Sequence, residues 1–277
     1  MKMKKKSDSQ KEFGYKLMRP FVTFKFKNKY HPVVFGKNNI PETGGIVVCG
    51  NHRHVDDQYN ALIATKRVVH MLAKDEYFKG KKEWFYRAAG CIPVDRSIHD
   101  ENAKSEAREI LNNKGAIGLF PEGTRNEVTS KEVEIDKVAK ILGISHEEVL
   151  DKLKNKCTRT TQVNLLIELS NSHKITKDEL KEYILDPDES LLKLLKKKII
   201  TKEEYKESLL LPFKFGAVSL AKKTGSLIVP YATVGNYNGE RDQLITRIGE
   251  PIDVSNMDLE DANKLLREKI IELMQKI

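Results

Sequence analysis

The chain has 277 residues, with 49 Lys+Arg against 40 Asp+Glu and a formal net charge of +9. That length suits one sizeable α/β domain, with or without an insertion, and a hydrophobic content of 39% is too high for a disordered chain. Three widely spaced cysteines, Cys49, Cys91 and Cys157, fit neither a disulfide framework nor a Cys-x-x-Cys metal site, so a reducing cytoplasm is the expectation.

The charge is uneven. Residues 1–31 hold ten Lys/Arg against two acids, a net +8. In the same segment Phe13, Leu17, Phe21 and Phe24 follow helical spacing, although Pro20 is expected to kink or end a helix there. A basic segment with an aromatic stripe suits an interfacial anchor, each cation gaining about 1 kcal/mol near an anionic leaflet. The plainer reading is a solvated basic tail followed by a helix packed on its own domain. No apolar run reaches the roughly 18 residues that a spanning helix requires. Repeated lysines also interrupt anything like a secretory signal, so secretion is not expected.

From residue 31 short apolar runs at 45–49, 68–73, 116–120 and 227–234 alternate with amphipathic stretches such as 57–64 and 102–112. This is the pattern of a layered α/β fold, one sheet with flanking helices. Pro230 inside the last run predicts a sheet edge or a strand end. Between 127 and 211 the texture changes: 16 Lys/Arg face 17 Asp/Glu, and leucines recur every three or four residues. The prediction is a separate helical piece inserted between 32–126 and 212–277. Within it Ser145, Thr176 and Thr201 each precede acidic residues, which predicts three helix starts with side-chain caps.

Four short constellations carry chemistry. The first is Gly50-Asn51-His52-Arg53-His54-Val55-Asp56-Asp57. On a continuous helix residues five apart diverge by about 140°, so His52 and Asp57 pair only across a strand-to-helix corner. Paired, they form a general base: the carboxylate fixes the tautomer and supports the imidazolium. Unpaired, Asp56 or Asp57 is a helix N-cap and His52 a turn residue. His54 competes as a base on paper. The second constellation is Phe120-Pro121-Glu122-Gly123-Thr124-Arg125. Gly123 permits a tight turn and Arg125 offers a planar fork suited to phosphate, unless this is an ordinary turn with a surface arginine. The third, residues 90–97, ends in Arg96, which either joins an anion site or pairs with Asp95. The fourth is Leu227-Ile228-Val229-Pro230.

Taken in order, Asn-His-x4-Asp, Gly-x-Ile-x-Val-Asp-Arg, Phe-Pro-Glu-Gly-Thr-Arg and Val-Pro resemble the four blocks of the glycerolipid acyltransferases, most closely the 1-acylglycerol-3-phosphate acyltransferases. The resemblance spans about 13–126 and 212–277, including Leu72-Ala73-Lys74-Asp75-Glu76. It leaves out 127–211, where family members pass through a short loop. It implies an α/β fold, a twisted mixed sheet flanked by helices and here interrupted by an all-helical insertion.

By the same resemblance His52 deprotonates the sn-2 hydroxyl of 1-acylglycerol-3-phosphate, Asp57 orients it, and acyl transfer gives phosphatidic acid without an acyl-enzyme. Glu122, Gly123, Thr124 and Arg125 are the implied phosphate site, with Lys74 and Arg96 as further cations. The implied donor is acyl-CoA or an acyl carrier protein thioester, with no cofactor and no metal. The implied location is the inner face of the cell membrane, on an anionic surface. His54 and Gln58 depart from the usual block residues, so another lysophospholipid or glycerol-3-phosphate stands as an alternative acceptor. The insertion, entering just after Arg125, is expected at the mouth of the site as a lid, membrane contact or docking surface. A basic nucleic-acid-binding protein agrees with the charge, but no recognisable nucleic-acid-binding motif accompanies it.

Overall fold

The computed structural model describes residues 8–275, apart from 96 and 99. Among these, seven strands form one sheet: β1 (Val33–Phe35), β2 (Ile46–Gly50), β3 (Val69–Lys74), β4 (Ile92–Val94), β5 (Ala116–Leu119), β6 (Leu227–Val234) and β7 (Ile245–Ile248). Their order is β1-β7-β6-β2-β5-β3-β4. Every ladder is parallel except β6–β7, so the sheet is mixed.

Alternation along β2 sets the two layers. Val47 and Cys49 point into one buried cluster, Ile46 and Val48 into the other, as a period of two requires. The second cluster is closed by Tyr15 of α1 (Asp8–Tyr30) and by Ala61, Leu62 and Ala64 of α2 (Gln58–Ala64). The first is closed by α4 (Glu101–Asn112), α11 (Gly216–Thr224) and α12 (Leu259–Met274), through residues such as Leu111, Val218 and Leu266. A short helix α3 (Glu83–Ala88) packs on α1, where a Cβ at Gly14 would lie 2.7 Å from the Ala88 carbonyl oxygen.

Residues 127–211 fold as helices α5 (Glu132–Leu142), α6 (His146–Leu153), α7 (Thr160–Asn171), α8 (Lys177–Tyr183), α9 (Pro187–Lys196) and α10 (Lys202–Glu207). Ser145, Thr176 and Thr201 are N-caps of α6, α8 and α10, each in a reciprocal capping box with the glutamate three residues on. The insertion is less separate than its composition predicts. The cluster that holds Val47 and Cys49 continues without a break into Val138, Val149, Leu166, Leu191 and Leu194. Each such leucine, withdrawn from water, contributes roughly 1.5–3 kcal/mol.

Two proline expectations fail. Helix α1 does not end at Pro20 but continues to Tyr30. Thr23 Oγ1 donates to the Arg19 and Pro20 carbonyls there, and His31 (φ 45°) before Pro32 supplies the stop. Pro230 lies in the interior strand β6, between β2 and β7. Its missing N–H falls where the β7 side is irregular, between the Tyr231–Ile248 pair and the isolated Ile228–Ile252 bridge. The Pro230 carbonyl still accepts from Gly249 N, so no donor is missed.

Candidate active site

The site lies at the carboxyl ends of the adjacent strands β2 and β5, the place where sheets of this kind present their loops. The last residue of β2 is Gly50, where any Cβ would lie 2.2 Å from the Tyr231 ring. Asn51 then ties the corner to β6: its Nδ2 donates to the Thr233 carbonyl at 2.9 Å, and Thr233 N donates back to its Oδ1 at 2.7 Å. The chain turns between Asn51 and Asp57 before α2 begins at Gln58.

That turn brings His52 and Asp57 together, with His52 Nδ1 3.0 Å from Asp57 Oδ2. The same carboxylate oxygen accepts the backbone N–H groups of Arg53 and His54, each at 2.6 Å. Asp57 Oδ1 accepts the Tyr237 hydroxyl at 2.5 Å. Asp57 occupies the N-cap position of α2 but makes no side-chain cap; its acceptors serve the corner instead. Burial alone would push its carboxyl up. The His52 hydrogen bond and charge, the His54 N–H and the Tyr237 hydroxyl outweigh that and hold it below its ordinary range. With Nδ1 so engaged, Nε2 is the nitrogen of His52 left for chemistry, and the ring is stacked on Phe120 at 4.0 Å.

His54 has a different setting. Its Nδ1 accepts from Asp56 N at 3.1 Å, and its ring stacks on Tyr237 at 4.0 Å. Burial draws its pKa down despite the nearby Asp57 and Asp56 charges. Asp56 turns the other way, to the Tyr30 hydroxyl at 2.7 Å, which docks the end of α1 against the corner.

His52 and Phe120 stand at the wall of a cavity of about 210 Å³. Met18 and Val22 of α1, Leu62, Met71 and Tyr86 make it apolar, while Lys74, Thr124 and Arg125 give it a polar end. Arg125 also lines a second groove with His54, facing Glu147, Asp151 and Lys154 of the insertion, and pairs with Glu127 at 3.5 Å. The insertion therefore does flank Arg125.

The predicted anion residues divide. Lys74, Thr124 and Arg125 reach the cavity. Glu122 does not: it is 3% exposed and faces inward, accepting His52 N at 2.7 Å and Leu211 N at 2.9 Å. Both of its oxygens are spent on the backbone, so it positions the His52 turn and the insertion's return rather than a ligand. Burial pushes its carboxyl up to about 7 against those two donors. Gly123 serves the turn itself, at φ 70°, with its N–H on the Phe120 carbonyl at 3.0 Å. Arg96 lies outside the described residues.

Tyr237 escaped the sequence reading. It stands 180 residues from Asp57, and nothing in its neighbourhood marks it. Its place is fixed by Asn60, whose Nδ2 donates to the Tyr237 oxygen at 2.8 Å while Thr246 Oγ1 donates to Asn60 Oδ1 at 3.0 Å. Polar residues on α2 and β7 at buried positions are the one faint signal.

Comparison with known proteins agrees with this geometry. A family model described as Acyltransferase matches residues 31–234. The 1-acyl-sn-glycerol-3-phosphate acyltransferase of Bacillus subtilis (strain 168) is 28% identical over 110 residues, 38% of this chain; the match spans about half (53%) of that relative's length. The crystal structure of the 1-acyl-sn-glycerophosphate (LPA) acyltransferase PlsC from Thermotoga maritima shares the fold, with a TM-score of 0.56 at 18% identity over 98% of this chain and 82% of that one. The family match takes in both the His52 corner and the Arg125 turn, and on that extent the chain belongs to the acyltransferase family.

Proposed function

We propose that the protein transfers a fatty acyl group from a thioester donor, acyl-CoA or acyl carrier protein, to the free sn-2 hydroxyl of 1-acylglycerol-3-phosphate. The observation that carries this reading is the His52–Asp57 hydrogen bond at the wall of an apolar cavity whose polar end holds Arg125. His52 Nε2 takes the hydroxyl proton as that oxygen attacks the thioester carbonyl. The tetrahedral intermediate collapses with loss of the C–S bond, and the imidazolium returns the proton to the departing thiolate. Asp57 stabilises the imidazolium between these steps. Arg125, Lys74 and Thr124 hold the acceptor phosphate, and the apolar wall formed by Met18, Val22, Leu62, Met71 and Tyr86 takes an acyl chain.

The reaction takes place on an anionic lipid surface, in this reading the inner face of the cell membrane. Phe13, Leu17, Phe21 and Phe24 are 65–72% exposed along α1, with Lys16 and Lys25 among them, and α3 adds Trp84. Such a stripe on water-facing helix suits insertion at the headgroup boundary. No helix among the described residues is long and apolar enough to cross a membrane.

Two assays test the proposal. Purified protein given lysophosphatidic acid and acyl-CoA or acyl carrier protein donors should release free thiol, and His52→Ala should lose roughly 10²–10⁴-fold in rate. Wild-type turnover in that variant overturns the base assignment; turnover confined to other lysolipids moves the acceptor. Replacing Phe13, Leu17, Phe21 and Phe24 together by Ser should weaken co-sedimentation with anionic vesicles at low salt. Unchanged sedimentation removes α1 as the contact.

A further inference from the structure

A second, larger cleft lies apart from the His52 cavity, between the insertion and the β6–β7 part of the sheet, with a volume of about 940 Å³. Two arginines from different parts of the chain line it: Arg53 of the corner and Arg159, the N-cap position of α7. Both are buried, 4% and 5% exposed. Each also has an Nε–H with no acceptor. Arg53 Nη2 donates to the Thr233 and Gly235 carbonyls at 3.1 and 2.9 Å. Arg159 Nη1 donates to Gln162 Oε1 and Asp188 Oδ1, both at 3.2 Å.

Two guanidinium groups withdrawn from water into one cleft are an unstable arrangement unless something neutralises them. Asp188 is the carboxylate that Arg159 reaches, and it is shared with Gln162 and half exposed. Burial draws the Arg159 pKa down, and the Arg53 charge acts in the same direction although Asp188 opposes it. At the rim stand Lys156, Lys202 and Lys206, against Asp186 and Asp242. Nearby charges, the Asp57 carboxylate among them, raise the Arg53 pKa against its burial, yet cations still exceed acids among the residues that line the cleft.

We infer that this cleft binds a phosphate-bearing small molecule, with Arg53 and Arg159 at its base and Lys202 and Lys206 at its rim. Its volume accepts a nucleotide-sized ligand. Fork-shaped guanidinium donors match phosphate oxygens, and Arg53 and Arg159 both line the cleft. The insertion supplies Arg159, Lys202 and Lys206, so the site exists only because 127–211 is folded against the sheet. A bound anion also reaches the corner: Arg53 sits between His52 and His54, and its backbone N–H is held by Asp57. The same chemistry is offered by the nucleotide end of a coenzyme A thioester and by a free phosphorylated effector.

Binding to the full chain, measured by calorimetry at low salt with inorganic pyrophosphate, adenosine 3′,5′-bisphosphate and coenzyme A, tests the inference without turnover. At least one of these should bind, raise the thermal midpoint and lose affinity as salt increases. Arg159→Gln should weaken that binding about tenfold to a hundredfold. Because that residue is buried, the exposed pair Lys202→Gln/Lys206→Gln is the second variant, expected to weaken binding severalfold with an unchanged melting temperature. A His52→Ala protein that has lost turnover should bind as the wild type does, which separates this site from the acyl-transfer reading. If Arg159→Gln raises KM for acyl-CoA with kcat retained, the ligand is the donor's nucleotide. If pyrophosphate or the bisphosphate changes the rate without competing with acyl-CoA, it is an effector. No binding by the wild type, or binding that none of the variants alters, overturns the inference.

Discussion

The corner at residues 51–57 has two sides, each with a histidine, and the residues around them make them unlike. On one side His52 keeps Nδ1 on the Asp57 carboxylate and its ring against Phe120, at the wall of the apolar cavity. On the other, two residues away, His54 gives its Nδ1 to the Asp56 backbone and its ring to Tyr237, beside Arg125 and the insertion. Residue type is the same and sequence distance negligible. A proton acceptor is made by a carboxylate at hydrogen-bond distance, not by an imidazole alone.

Substitutions on the two sides should separate them. The largest effect belongs to His52→Ala, with its expected loss of roughly 10²–10⁴ in kcat. Asp57→Asn follows at about 10²–10³, because an amide supports neither the tautomer nor the imidazolium; steady-state kinetics with the fold verified by circular dichroism checks both. Glu122 supports the His52 side only, through the His52 N–H, and its effect is on stability. The folded carboxyl titrates near 7 and the unfolded near 4.5, so the folded chain retains a proton that the unfolded chain releases between those values. Stability is then full below about 4.5 and falls as pH rises through 7, by up to about 3 kcal/mol. Glu122→Gln should flatten that slope in urea titrations at pH 5 and 8; an unchanged slope places the linkage elsewhere.

Tyr237→Phe touches both sides and should cost about three- to tenfold in kcat, the effect of about 1 kcal/mol of lost hydrogen bonding. An unchanged kcat in the folded variant reduces Tyr237 to packing. The smallest effect is expected of His54→Ala, within about threefold of wild type. A loss comparable to that of His52→Ala erases the distinction between the two sides.

Much of the fold is legible along the chain because it rests on local rules. The runs at 45–49, 116–120 and 227–234 appear as β2, β5 and β6, and three Ser/Thr-plus-acid starts appear as capping boxes. What local rules miss is set by distant neighbours. Pro230 is tolerated in an interior strand because the β7 side is irregular opposite it. Glu122 is turned inward by Leu211, on the far side of an 85-residue insertion, a partner that motif spacing does not reveal. Tyr237, in the β6–β7 connection, meets Asp57 with the help of a contact to Asn60, and both partners lie far off along the chain. The stripe on α1 and Leu166, Leu169, Leu191 and Leu194 of α7 and α9 share helical spacing, yet the first is exposed and the second buried. Periodicity names a face; what covers it depends on the rest of the molecule.

The shared cluster that joins the insertion to the sheet has a consequence for how the chain acquires its structure. Strand β2 has two parallel neighbours, and one of them, β6, pairs Leu227 with Ile46, 181 positions earlier. As the chain is made, β2 can pair with β5 long before β6 exists, so one edge of the central strand stays open while all six insertion helices emerge. Those helices are locally encoded and capped, and their buried residues belong to the same apolar cluster as Val47 and Cys49 of β2. The open edge of a central strand therefore has to wait for residues 227–234, with all of the insertion made in between.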